Sequence, residues 1–136
     1  MNQKKILVVT QYIYPENFKS NELVFEMAKR GYHVDVLTGI PNYPEGVYFK
    51  GYGLFKKRIE KKDGVNFYRC WQSPRGRKAS GLGLGLNYIT FAISATFWIF
   101  FYFLWKKKYN AIITHEPSPI TQLIPACLLG IIRKVP

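Results

Sequence analysis

The sequence predicts an α/β fold, a Rossmann-like parallel sheet with an inserted hairpin and a long aromatic helix, on three observations. Ile6-Leu-Val-Val-Thr10 is an apolar, mostly β-branched run without polar alternation, as in a strand covered on both faces. Leu23, Val24, Met27 and Ala28 then recur at helical spacing until Gly31, where glycine favours a helix end. His33-Val-Asp-Val-Leu-Thr38 follows as a second strand, and a strand, helix, strand order makes a βαβ unit the expected topology.

Each further element has its own local signal. Pro15 to Asn17 makes a loop, and Ser20 or Asn21 is the expected cap of the first helix. Gly39 to Gly53, rich in Gly, Pro, Asn and Tyr, is a long loop leaving the carboxyl end of the second strand, where α/β folds place ligands. Asp63-Gly64 suits a tight hairpin turn between Phe55–Lys62 and Val65–Trp71, with Val65, Phe67 and Arg69 on one face. Ser73 to Gly85 reads as a mobile, basic linker. Its Gly81-Leu-Gly-Leu-Gly85 run is a hinge rather than a dinucleotide fingerprint, because Leu86 and Tyr88 stand where the third glycine belongs. Ala111-Ile-Ile-Thr114 is a short strand, and after Pro117 to Pro119 an apolar helix runs to about Ile132. No internal repeat and no second domain is apparent, so residues 1–136 are expected to form one domain.

Asn87 to Trp105 is nineteen residues without a formal charge. That approaches the ~20 needed to span a bilayer. Three arrangements satisfy it: a helix lying in the membrane interface on its aromatic face, a packed core helix, or a true span. The interfacial arrangement uses Phe97, Trp98, Phe101 and Trp105 together with Lys106, Lys107 and Lys108, and fits a helix joining two strands of one sheet.

Composition narrows the partners. A formal charge of +12 attracts phosphate in nucleic acid, anionic lipid or sugar diphosphate. Two basic clusters flank the most apolar stretch, which favours an anionic membrane surface. No helix-turn-helix, ribonucleoprotein or zinc pattern supports nucleic acid. Cys70 and Cys127 are far apart and are expected as buried thiols in a reducing compartment. The apolar run after Lys4 and Lys5 is too short for a secretory signal, which places the expected location in the cytoplasm. The loop after the first strand, Tyr12 to Asn21, lacks glycine, which disfavours a nicotinamide or flavin cofactor, and neither histidine has metal-site spacing.

Two segments have the chemistry of a carbohydrate site. Asn42-Tyr43-Pro44-Glu45 is either a proline-set turn or an amide, phenol and carboxylate group suited to sugar hydroxyls. His115, with Glu116 beside it at a strand end, is either a surface pair or an imidazole that bonds a sugar hydroxyl or phosphate. His33, at the turn into the second strand, reads as structural.

Taken together, several segments resemble one family: Ile6 to Pro15 (ILVVTQYIYP), Glu26 to His33 (EMAKRGYH), Val34 to Pro44 (VDVLTGIPNYP), Asp63-Gly64-Val65 before Tyr68-Arg69, and Glu116 to Thr121 (EPSPIT). In this order and spacing they look like the WbuB/WcaI-like branch of family 4 glycosyltransferases, over nearly the whole chain. The resemblance implies an acceptor-side GT-B domain, incomplete at its C-terminal end and without its donor-binding domain. It also implies retaining transfer of a sugar from a nucleotide-sugar donor to a lipid-linked saccharide acceptor, without cofactor or metal, in capsule, O-antigen or exopolysaccharide synthesis at the cytoplasmic face of the bacterial inner membrane. Asn17, Lys19, Asn42, Tyr43, His115 and Glu116 are the acceptor-binding candidates this implies. Many relatives carry glycine after the first strand, where this chain has Asn17-Phe-Lys-Ser-Asn21. No catalytic residue is assigned. The contrasting expectation is a small basic membrane protein with one or two spans and no activity.

Overall fold

A computed structural model describes residues 3–78, 80–106, 108–115 and 119–136. Its elements in chain order are β1 (Lys5–Val9), α1 (Ser20–Lys29), β2 (His33–Gly39), β3 (Ile59–Lys62), β4 (Val65–Cys70), α2 (Gly81–Trp98), a π-helical turn (Ile99–Phe103), α3 (Leu104–Lys106), β5 (Ala111–Thr114), a 3-10 turn (Ile120–Gln122) and α4 (Leu123–Arg133). They build one five-stranded sheet in the order β3-β4-β2-β1-β5. β1 runs parallel to both β2 and β5, β2 runs parallel to β4, and β3 alone is antiparallel. The fold is therefore α/β and Rossmann-like, with a mostly parallel mixed sheet.

The period-two alternation of the strands sends side chains to two separate cores. Ile6, Val8, Val34, Val36, Val65 and Phe67 pack beneath α1 around Val24. Leu7, Val9, Leu37, Tyr68 and Cys70 face the opposite way, toward Phe91, Ala95, Ile99 and Phe103 of the long helix and Ala126 and Leu129 of α4. Because both faces are covered, β1 and β2 are almost wholly buried, as their unbroken apolar runs require.

Four expectations need correction. The hairpin forms, but it is no mere insertion: β4 enters the core sheet beside β2, in register from Val34 opposite Val65 to Gly39 opposite Cys70. Gly81 to Gly85 is no hinge; it forms the first turns of α2, which Ser80 caps by accepting from the Gly83 N–H at 3.1 Å. Of its three glycines only Gly83 serves close packing, since a Cβ there would lie 2.5 Å from the Arg75 carbonyl oxygen, whereas Gly81 and Gly85 face open space. Neither Ser20 nor Asn21 caps α1 with its side chain. Asn21 instead accepts from the Tyr14 N–H at 2.7 Å and donates to the Glu16 carbonyl at 2.8 Å, folding the preceding loop. Finally, Cys70 is buried as expected but Cys127 is exposed on α4.

The segment from Gly81 to Phe103 is long and apolar enough to cross a membrane by length and composition, and 28% of an 18-residue stretch within it is buried inside the protein. Asn87, Phe91, Ala95, Ile99 and Phe103 recur every fourth residue on its inner side. A spacing of four drifts around an ordinary α-helix, and the wider π turn at Ile99–Phe103 takes up the drift. Its outer side carries Leu82, Leu86, Ile89, Ile93, Phe97, Phe101 and Trp105, all exposed. This helix has no polar face, so it is covered by protein on one side and open on an apolar stripe on the other.

Candidate functional site

β1 is flanked by β2 on one side and β5 on the other, and the chain leaving β1 crosses to α1 on one face of the sheet while the chain leaving β5 crosses to α4 on the other. Parallel sheets of this kind leave a crevice at the carboxyl ends of their central strands. Three loops converge there: residues 10–19 after β1, 40–58 after β2, and 71–80 after β4.

A buried carboxylate ties the first two loops together. Glu16, only 2% exposed, accepts from the backbone N–H groups of Asn42 at 2.8 Å and Tyr43 at 2.7 Å. Burial pushes its carboxyl up to about 7, against the opposing pull of those two N–H groups and of the Arg69 guanidinium. Arg69 is itself 1% exposed, donating to the Tyr14 carbonyl at 2.9 Å and to Glu60 at 3.0 Å, with its guanidinium over the rings of Tyr52 and Phe67. It is a built-in cation holding the loop from beneath.

Beside it lies a network of buried amides. Gln11 Nε2 donates to Gln72 Oε1 and Asn87 Oδ1, both at 2.8 Å, while the Gln11 N–H donates to Gln122 Oε1 at 2.9 Å. The Tyr12 hydroxyl also reaches Asn87 Oδ1, and Asn87 Nδ2 donates to the Ser73 carbonyl. These contacts join the ends of β1 and β4 to α2 and α4. They also fix the ring of Tyr12.

On this base stands an aromatic cluster. Phe18 stacks on Tyr12 with centroids 5.7 Å apart, and Tyr43 lies 5.2 Å from Phe18 and 6.2 Å from Tyr12. The guanidinium of Arg75 lies over both tyrosines, 5.0 Å from the Tyr43 centroid and 5.8 Å from that of Tyr12. Such a group offers flat apolar faces, a phenol, and a cation to an approaching ligand.

Asn17 and Lys19 are exposed on the loop that carries Phe18. Tyr43 is 38% exposed at the cluster's rim. Asn42, by contrast, is wholly buried: it donates to the Ile40 carbonyl, accepts from the Arg75 N–H, and so anchors the loops instead of facing solvent. His115 is exposed just past β5, where its carbonyl accepts from the Thr10 hydroxyl. Glu116 lies outside the described residues. Of the residues expected at a membrane, Phe97, Phe101 and Trp105 are exposed on the outer stripe and Lys108 is exposed beyond it. Trp98 departs from them, packing inward against Tyr68, Tyr102 and Phe103. Lys107 and the side chain of Lys106 lie outside the described residues.

A cavity of about 580 Å³ lies away from these loops. It is an apolar groove between the outer stripe and α4, walled by Ile93, Phe97, Phe100, Phe101, Trp105 and Ile124. Ile120 of the 3-10 turn and Ile131 and Ile132 of α4 are further exposed apolar residues.

Sequence reasoning missed Glu16, Gln11, Gln72, Asn87, Phe18 and Arg75. The only sequence signal was a carboxylate and a glutamine set among aromatics between Gln11 and Phe18. Among the described residues no three His, Cys, Asp or Glu side chains group to hold a metal ion. Comparison with protein-family models, with curated proteins and with solved structures gives no match for this chain.

Proposed function

We propose that this chain is the acceptor-side domain of a glycosyltransferase of GT-B type, binding a lipid-linked saccharide at the cytoplasmic surface of a bacterial membrane. One observation carries the reading: a cluster of rings and a cation at the carboxyl ends of the strands borders an unbroken apolar helix face. Sugar rings present apolar C–H faces and many hydroxyls, which suit the half-buried Phe18 and the exposed Tyr43, with Tyr12 buried beneath them. A lipid-linked acceptor is apolar at one end and anionic and polar at the other, so it needs both surfaces at once. In this reading the outer stripe of α2 and the exposed isoleucines of α4 lie in the membrane interface, with the surrounding lysines at the headgroups. The nucleotide-sugar donor is held by a second domain facing the same strand ends, and transfer proceeds with retention of configuration in the synthesis of a surface polysaccharide.

The experiment is equilibrium binding of the chain to vesicles of matched charge, with and without a polyprenyl-diphosphate-linked saccharide. The saccharide-bearing vesicles are expected to bind about tenfold more tightly, and Tyr43→Ala to remove most of that preference. Equal affinity for both vesicles would refute the reading. The apolar length of Gly81–Phe103 favours one alternative, a small basic membrane protein that spans the bilayer. Alkaline carbonate extraction separates the two, since an interfacial domain is released and a spanning protein is retained.

A further inference from the structure

We propose that Arg75 is a phosphate-recognition residue, and that its ligand is a diphosphate ester at the head of an apolar tail. The backbone of Arg75 is held on both sides. Its own N–H donates to Asn42 Oδ1 at 3.3 Å, and the N–H of Gly76 donates to the Gly46 carbonyl at 2.9 Å. Gly46 has φ +73° and no room for a Cβ against the Gly76 carbonyl, so the two loops meet where only glycine fits. The side chain is held as well, by the faces of Tyr43 and Tyr12, and Tyr12 is itself fixed by Asn87.

Among the described residues no carboxylate forms an ion pair with Arg75. Arg69 makes the contrast: it is buried, paired with Glu60, and committed to the Tyr14 carbonyl. A guanidinium placed over ring faces and without a carboxylate partner has N–H groups to give to a fork of oxygens, which phosphate supplies in bidentate geometry. Arg77 and Lys78, exposed two and three residues on, add a field of the same sign.

The tail follows from what adjoins the arginine. The Arg75 carbonyl packs against Gly83 in the first turns of α2, and Leu82 beside it is 77% exposed at the start of the apolar stripe. The chain at Arg75 thus adjoins the start of the apolar stripe, an arrangement that suits a phosphorylated lipid with its phosphate on the guanidinium and its tail toward α2. The tail assignment rests on the acceptor reading above, whereas the anion chemistry stands on this geometry alone.

The test is titration of the whole chain with inorganic pyrophosphate, comparing wild type with Arg75→Ala, Arg75→Lys and Arg77→Ala. Only the backbone of Arg75 anchors the loops, so Arg75→Ala is expected to keep the fold, checked by its thermal transition. Arg75→Ala is expected to weaken binding about tenfold and Arg75→Lys about threefold, with Arg77→Ala under twofold. Absence of pyrophosphate binding by the wild type, no loss in Arg75→Ala, or an equal loss in Arg77→Ala would overturn the proposal. A second arm uses vesicles. A loss in Arg75→Ala confined to polyprenyl-diphosphate vesicles supports the lipid-linked source, and an equal loss on phosphatidylglycerol vesicles assigns the phosphate to bilayer headgroups. Pyrophosphate carries no saccharide. Arg75-dependent binding without any saccharide preference therefore upholds the anion site and refutes the glycosyltransferase reading, and the reverse pattern refutes the site alone.

Discussion

Glu16 has a role that its place in a short polar loop conceals. Its carboxyl is held up at about 7 by burial, above the ordinary glutamate value of 4.5 that it regains on unfolding. The native state therefore keeps a proton that the unfolded chain releases, so stability is greatest below about pH 4.5 and falls as pH rises toward 7. From this group alone the fall amounts to ~3 kcal/mol at most. Glu16→Gln keeps an oxygen that can accept from Asn42 and Tyr43 but cannot ionise. Urea unfolding at pH 5 and pH 7.5 is expected to show this fall in the wild type and to lose it in Glu16→Gln; an unchanged slope would contradict the assignment. Asn87 invites a harsher change. Asn87→Ala strips partners from Gln11, Tyr12 and the Ser73 carbonyl, all at the base of the site. A cost of about 2–4 kcal/mol is expected by the same denaturation measurement, because the groups left behind are buried.

Among the elements, the long helix has two faces that respond oppositely to substitution. Phe91→Ala opens a cavity in a wholly buried position and is expected to cost about 3–5 kcal/mol. The triple change of Phe97, Phe101 and Trp105 to serine alters exposed positions and is expected to shift stability by less than about 1 kcal/mol. The same triple variant is expected to weaken co-sedimentation with anionic vesicles roughly a hundredfold, because three aromatic side chains no longer enter lipid. Retained vesicle binding would show that the stripe serves something other than a bilayer. The first strand, the first helix, the second strand and the hairpin turn were legible because their signals are local: apolar runs, helical spacing and Asp63-Gly64. The parallel pairing of β4 with β2 was not, since it joins residues about thirty positions apart and leaves no mark on either segment. Gly81 to Gly85 read as a hinge by propensity, and tertiary packing against Arg75 overrides propensity there. Trp98 was misplaced because it directly follows Phe97 in α2, and one residue turns a side chain about 100° around the helix, here toward Tyr68, Tyr102 and Phe103.

At the scale of the whole molecule, the sheet divides the work. One face is closed by α1, and the other carries the apolar layer of α2 and α4. The carboxyl ends of the strands hold the buried amides, the Glu16 staple and the aromatic cluster with Arg75. Only Tyr43 of the aromatic cluster was named as a site residue from sequence, because Glu16 and Gln11 beneath it bond to partners 26 and 111 residues away that no local pattern reports. The arrangement puts an apolar surface and an aromatic, cationic cluster on one sheet scaffold, which is the property the acceptor-side reading requires. The measurement that bears on it most directly is photo-crosslinking with a diazirine-bearing polyprenyl-diphosphate saccharide in vesicles, followed by mass spectrometric mapping of the adducts. The account predicts adducts on the loops around Tyr12, Phe18, Tyr43 and Arg75 and along the outer stripe from Leu82 to Trp105, competed by unlabelled acceptor. Adducts confined to α1 or to the amino ends of the strands, or labelling that unlabelled acceptor leaves unchanged, would contradict it.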